Sequence, residues 1–450
     1  MRRTIAAAAV AGVCAALLTT ASATAQEPAG ARPAGRPGAP AAAGTILHTF
    51  RGDADQPNER YGFAVSQLAD IDDDGVEDIL IGAPFWTDAA GHVDGYLDVI
   101  SGRSGQRIFR LTGAADDRLG YAMADAGDID GDGVHDIVAG ATGVTQLACT
   151  TDTAAAGRVY LYSGRTGRLL RRVDGEAAGD QFGAAVGAAG DVDRDGHADV
   201  VVGAPCHDGP AGVDAGRGYV VSGRTGRILR TYDGEAAGDG FGWGAAGLGD
   251  ITRDHKADYV FGAKDAGPGD RGLAYVYDGR TGDPRFVLSG DDQSMEFGWF
   301  FVATAGDVDG DRVPDIYVGD FCGADPVGGC AAPLGQAYVF SGRTGQQIRL
   351  FTGFEPNDGA GPGRSAGDVD HDGRADVVVG LYSSSAAAQF GGRVVVFSGR
   401  TGAVLFDYAD PNPVETLGYD AVGLGDVNRD GRVDLLVSGA VGNVVYVMST

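Results

Sequence analysis

The stretch Asp191-Val192-Asp193-Arg194-Asp195-Gly196-His197-Ala198-Asp199 decides how this chain is read. Carboxylates stand at its first, third, fifth and ninth positions, and a glycine at the sixth lets the backbone turn sharply. Curled on itself, such a loop converges the side chains with the backbone carbonyl of the seventh residue. That is an all-oxygen shell of the kind a hard cation takes, and Ca2+ is the expected occupant.

The same nine-residue design recurs seven times. Asp70, Asp72, Asp74 and Asp78 form the first copy, Asp128, Asp130, Asp132 and Asp136 the second, and Asp191, Asp193, Asp195 and Asp199 the third. The sixth, Asp368, Asp370, Asp372 and Asp376, is equally complete. The fifth keeps Asp307, Asp309, Asp311 and Asp315 but carries Arg312 at the glycine position, where strain is expected. The seventh has Asp426, Asn428, Asp430 and Asp434, with the asparagine still an oxygen ligand. The fourth retains Asp250, Asp254 and Asp258 but has Thr252 and His255 at the third and sixth positions, so it is the weakest candidate. About five to seven ions per chain follow. Their role is read as structural, because no repeat adds a His or Glu base at a fixed offset, and extracellular sites of this type hold calcium with Kd of about 10⁻⁴ to 10⁻³ M.

Successive copies start 58, 63, 59, 57, 61 and 58 residues apart, which makes them marks on one tandem structural unit. The third unit shows four β-rich runs, 182–190, 199–203, 217–222 and 227–232, bounded by Gly, Asp or Pro. Each unit is therefore a four-stranded antiparallel meander. The first run is full of Gly and Ala, as suits backbones crowding near an axis, and the second is continuously apolar. The third and fourth are joined by SGRSG, SGRTG or DGRTG turns, whose glycines are expected to take positive φ.

Seven such units close best as an all-β, seven-bladed β-propeller, which leaves few exposed strand edges. The last unit stops after GNVVYVMST, a third strand, while GTILHTFRG near Thr45 matches fourth strands such as GRILRTYDG. The N-terminal strand is thus expected to complete the last blade.

Outside 45–450 the chain reads differently. Met1-Arg2-Arg3, the apolar run Ile5 to Leu18 and the small residues up to Ala25 form a secretory signal, 1–25. Residues 26–44 are a Pro/Ala/Gly linker with nothing large to bury. No later apolar run is long enough to cross a bilayer. The expected destination is secreted, cell-surface or periplasmic. Four cysteines remain after signal removal, with Cys322 paired to Cys330 and Cys149 to Cys206 as the expected bridges. Formal charge is −27, with 62 acidic and 35 basic residues, which argues against nucleic acid as a partner.

Phe182-Gly183 before the Asp loop and Gly203-Ala204-Pro205 after it resemble the FG-GAP repeat of the integrin α-subunit propeller. Phe241-Gly242, Phe297-Gly298 and Gly82-Ala83-Pro84 repeat the marks, and the register extends over essentially all of 45–450. The sixth unit, with GAGPGRS, and the seventh, with Ser438 at the first glycine of the second mark, depart from it. The resemblance implies a calcium-loaded propeller acting as an adhesion or ligand-binding module, not an enzyme, whose face opposite the calcium loops binds an extracellular protein or glycan. The variable segments 84–95, 141–157, 205–216, 264–271, 320–336 and 382–392 fall on that face. A polysaccharide-directed lectin is the nearest variant. A hydrolase or lyase is the alternative from another class, and it would need an acid/base pair with His48, His92, His207 or another loop residue in a deep groove. Phe85 and Trp86 are candidates for stacking on a ligand or packing on the next blade, and Trp243 and Trp299 for core or channel lining. Arg51-Gly52-Asp53 aligns with the ends of other fourth strands and is read as such.

Overall fold

The computed structural model describes residues 44–144, 149, 155–324 and 330–450. The signal and nearly all of the linker lie outside the described residues. Seven four-stranded antiparallel sheets form a seven-bladed β-propeller, and every sheet is a meander. Blade three has its inner strand at Ala185–Gly190, then Asp199–Ala204, Arg217–Val221 and the outer strand Ile228–Asp233. The regular inner strand begins three residues later than the sequence suggests. Gly183 is left-handed and the N–H of Ala184 donates to the carbonyl of Gln181, so the chain turns there before extending.

The second strands are the most buried elements. Asp199–Ala204 and Asp78–Ala83 are buried at every residue, since both sheet faces meet a neighbouring blade. The core is accordingly distributed between blades. Val138, Val159 and Leu161 of blade two pack on Val200, Val202 and Val221 of blade three, and equivalent clusters recur around the ring.

The chain ends close the ring as expected. Thr45–Arg51 pairs antiparallel with Val444–Ser449, from Thr45 opposite Ser449 to Arg51 opposite Val444, and forms the outer strand of blade seven.

The family marks have a spatial reason that the sequence did not give. A Cβ placed on Gly203 would lie 1.9 Å from the carbonyl oxygen of Gly242, so the second mark of blade three meets the first mark of blade four backbone to backbone. Gly140 stands in the same relation to Gly183, and Gly380 to Gly418. In blade seven Ser438 takes the place of that glycine, opposite Gly62, and its Oγ accepts from the N–H of Asp420 at 3.0 Å.

Candidate metal loops and the opposite face

Each Asp loop joins the inner strand of a blade to its second strand, and two left-handed residues shape it. The sixth-position glycines take positive φ, for instance 85° at Gly75 and 88° at Gly196. Arg312 and His255 adopt the same region at 66° and 69°, which costs a side-chain-bearing residue on the order of 1 kcal/mol. The fourth position is left-handed too, at Asp73, Gly131, Arg194, Arg253, Gly310, His371 and Arg429.

Carboxylate oxygens of the first, third and ninth positions gather within 4.8 Å of one another in Asp70, Asp72 and Asp78, in Asp128, Asp130 and Asp136, and in Asp191, Asp193 and Asp199. The fifth carboxylate faces the third hairpin of its own blade. Asp74 accepts from the hydroxyl of Ser101, and Asp132 and Asp254 accept from Nε of Arg165 and Arg280 at 2.8 and 2.9 Å. The loops and the SGRTG turns therefore share one face of the ring.

The ninth aspartate is the pin between them. Asp78 Oδ2 accepts from the N–H of Ile71 at 2.9 Å, and Oδ1 from the N–H of Gly102 at 3.0 Å. Asp136 holds Ile129 and Gly164, Asp199 holds Val192 and Gly223, and Asp315 holds Val308 and Gly342 in the same way. Asp258 and Asp376 repeat it with Gly279 and Gly399. This corrects the reading of the turn glycines. Only the second, such as Gly105 at φ 68°, is left-handed. The first is needed for space: a Cβ on Gly102 would lie 1.9 Å from the carbonyl oxygen of Glu77.

All seven ninth aspartates are fully buried. Burial pushes Asp78 and Asp315 up to about 7 and Asp136, Asp199 and Asp434 up to about 6, with neighbouring loop carboxylates adding to the rise and backbone N–H groups opposing it. A divalent cation would reverse that logic by holding the carboxylates ionised. The first, third and ninth positions supply an all-oxygen, gathered donor set, which fits Ca2+, while arginines of the third hairpins pair with the fifth carboxylates of loops two to six.

Loop four differs as its composition suggests. Thr252 Oγ1 turns to Asp250 Oδ1 at 3.4 Å, and backbone N–H groups of His255, Asp254 and Arg253 hold the Asp250 carboxyl low against the opposing effect of its burial. Lys256 at its seventh position reaches loop three, where Nζ lies 3.4 Å from Asp191 Oδ2 and donates to the Asp191 carbonyl.

The inner strands of all seven blades line a central channel of about 520 Å³. Each inner strand runs toward its Asp loop, so its first residues lie at the opposite end. There seven aromatic rings form a closed circuit in the order Phe63, Tyr121, Phe300, Trp299, Phe321, Tyr382 and Tyr419, with neighbouring centroids 5.0 to 6.4 Å apart. Trp243 packs on Trp299 and Phe300 and is buried with Trp299, while Phe300 is partly exposed. Phe63, Tyr121, Trp299 and Tyr419 each follow the glycine of the first mark, and Phe321 and Tyr382 take the third place of the second mark, so two sequence offsets feed one ring and only Phe300 has no counterpart.

Phe85 and Trp86 pack rather than project. Phe85 meets Phe63 edge-on at 5.7 Å, and Trp86 packs on Tyr96 and donates Nε1–H to Asp53 Oδ2 at 3.1 Å. Asp53 of the RGD triplet also pairs with Arg110 at 3.3 Å, while Arg51 faces Glu415 at 3.6 Å, so both charged groups have partners within the fold. The three histidines do not gather. His207 is buried against Asp180 at 2.9 Å, His92 pairs with Asp88 at 3.3 Å, and His48 stacks near Phe50. Both expected disulfides are present, Cys149–Cys206 linking the loops of blades two and three, and Cys322–Cys330 within one loop of blade five. Among the described residues, no helix is long and apolar enough to cross a membrane.

The FG-GAP repeat family matches residues 124–162 and 182–221. Integrin alpha-6 of Gallus gallus is 30% identical over 168 residues, 35% of this chain and 14% of that protein. Integrin alpha-PS2 of Drosophila melanogaster is 28% identical over 262 residues, covering 54% of this chain and 17% of its own. Integrin alpha-IIb of Homo sapiens is 31% identical over 217 residues, with shares of 45% and 20%. The chain thus spans a fifth or less of the length of these curated relatives. The seven blades meet through these marks as well as through their apolar clusters, and over the matched residues the chain carries FG-GAP repeats and is similar to integrin alpha chains.

Proposed function

We propose that this protein is an exported, calcium-stabilised ligand-binding module that presents the face opposite its Asp loops to an extracellular protein or glycan. The observation that carries the calcium part is the repeated gathering of first, third and ninth carboxylates within 4.8 Å on one face of the ring. Asp70, Asp72, Asp74 and Asp78 and their counterparts in loops two, three, five, six and seven would hold the ion, with Asp250, Asp254 and Asp258 of loop four the least suited. Ca2+ would supply positive charge that keeps the buried ninth carboxylates ionised while they pin the turns. Similarity to integrin alpha chains and the absence of a gathered histidine site among the described residues favour binding over catalysis. The segments that vary between blades join second to third strands, away from the Asp loops, which is where a rigid repeat scaffold places recognition.

Residues 26–450, studied as the mature chain after cleavage of 1–25, provide the test. Removal of calcium by chelator is expected to lower the unfolding temperature, and atomic absorption is expected to count about five to seven ions per chain. At 10 mM Ca2+ each occupied site contributes on the order of 1 to 3 kcal/mol. An unchanged unfolding curve with no bound ion would refute the calcium part. Binding on glycan and protein arrays, abolished by charge reversal at the variable segments and untouched by changes on the turn face, tests the ligand face. Binding that follows the turn face instead would reassign it.

A further inference from the structure

Chemistry that the propeller does not require lies away from the Asp loops. Cys322 follows the second strand of blade five and is buried, whereas its partner Cys330 is partly exposed. Glu296, immediately before Phe297-Gly298, places Oε2 3.0 Å from Cys322 Sγ. A disulfide sulfur has no hydrogen to donate, so a hydrogen bond across that gap must use a proton held by Glu296. Its surroundings keep that proton in place. Burial pushes the Glu296 carboxyl up to about 8, Lys264 opposes the shift, and Asp265 and Asp320 reinforce it. The position is also fixed from behind, because Asp320 accepts from the N–H groups of Met295 and Glu296 at 3.0 and 3.2 Å. A surface cleft of about 700 Å³ is lined by Ser294, Met295, Ala324 and Leu334 among others, close in sequence to Glu296 and Cys322.

We propose that Cys322–Cys330 is a thiol–disulfide exchange site, with Glu296 as its general acid and base and a thiol reductant as its substrate. The incoming thiolate attacks the more accessible Cys330 Sγ. A sulfur–sulfur bond forms there, the Cys322–Cys330 bond breaks, and its electron pair moves to Cys322 Sγ, which takes the proton from Glu296 Oε2. A second thiol of the reductant then displaces Cys330, so two thiols are oxidised to one disulfide while the protein bridge is reduced to two thiols. Re-oxidation runs the steps backwards, with the Glu296 carboxylate accepting the Cys322 proton. Cys322 packs in one cluster with Trp299 and Phe321, so the exchange reports directly to the aromatic circuit at the channel end.

The site is independent of calcium binding and is tested on the mature chain in calcium buffer. Dithiothreitol is added at pH 7, samples are acid-quenched and alkylated, and both bridges are followed by peptide mass spectrometry. Cys322–Cys330 is expected to open before Cys149–Cys206. Glu296→Gln is expected to slow it by about tenfold or more while leaving the other bridge unchanged. In the unaltered chain the ratio of the two opening rates cancels the pH dependence of the reductant, and it is expected to fall between pH 7 and pH 9 as Glu296 loses its proton. That ratio decides the matter even where the variant does not fold. Equal opening of the two bridges, or a ratio indifferent to pH, overturns the proposal.

Discussion

Blade seven and the other six blades are built from one repeat, yet they are fastened differently. In blades one to six the ninth aspartate accepts from its own loop and from the third hairpin, as Asp199 does from Val192 and Gly223. In blade seven the third hairpin is replaced by the meeting of the chain ends. Asp434 still accepts from Val427 and Asn428, but no third-hairpin N–H reaches its other carboxylate oxygen. At the other end of the same strand, Ser438 stands where the other blades have the close-contact glycine. The marks serve particular contacts: without a third hairpin blade seven leaves half of its pin unmade, and it meets Gly62 with a serine that also accepts from the Asp420 N–H.

The largest expected effect comes from importing the blade-seven residue into an ordinary blade. Gly203→Ser drives a Cβ into the backbone of Gly242 and should cost more than about 4 kcal/mol or prevent folding, because neither backbone can move without displacing a blade. The reverse change, Ser438→Gly, should cost only about 1 to 3 kcal/mol, for the lost acceptor of the buried Asp420 N–H. Urea unfolding of both variants makes the comparison, and equal losses would break it.

A smaller asymmetry is expected at the pins. Measured in chelator so that no ion intervenes, Asp199→Ala leaves two sets of buried N–H groups without an acceptor and should lose about 2 to 5 kcal/mol. Asp434→Ala abandons only the groups of its own loop and should lose about 1 to 3 kcal/mol less, read from the shift in urea midpoint.

The closure also carries its own pH dependence. Glu59 is buried beside the end of the closing strand, where it accepts from the N–H of Asp53 and from the hydroxyl of Tyr96. Burial pushes it up to about 7, with the charge of Asp53 adding to the rise while the Asp53 N–H, Tyr96 and Arg110 oppose it. Between about pH 4.5 and 7 the folded chain holds this proton and the unfolded chain has released it, so the group's contribution falls as pH rises through that window and is level above it. The loss is on the order of 3 kcal/mol for this buried group. Glu59→Gln should remove that slope, seen as a stability difference from the unaltered chain that favours the variant increasingly from pH 5 to pH 8. Parallel pH curves would show that Glu59 is not the source.

Much of this was legible in the sequence because it repeats. Asp70, Asp128, Asp191 and their counterparts fix a period, and a period of meanders with complementary ends implies a ring. The pairing of Cys149 with Cys206 followed from corresponding loops in adjacent repeats. What escaped depends on distances between blades. The sequence shows that Gly203 and Gly242 recur, but not that they touch. It shows Gly102 in a turn, where positive φ is the natural guess, but not the Glu77 carbonyl that forbids a side chain. The aromatic circuit is hardest to foresee, since Phe63, Tyr121 and Tyr419 begin inner strands whereas Phe321 and Tyr382 follow second strands.

The way the ring is clasped also sets its response to mechanical load. Gly44 and Thr450 flank the same end of one antiparallel strand pair, in which Thr45 lies opposite Ser449. A pull applied between those two points opens the pair one rung at a time, as a zipper parts, instead of shearing all its hydrogen bonds together. A ring that resists denaturant as a cooperative whole would therefore yield first at its clasp when tugged from its ends, with six blades still folded.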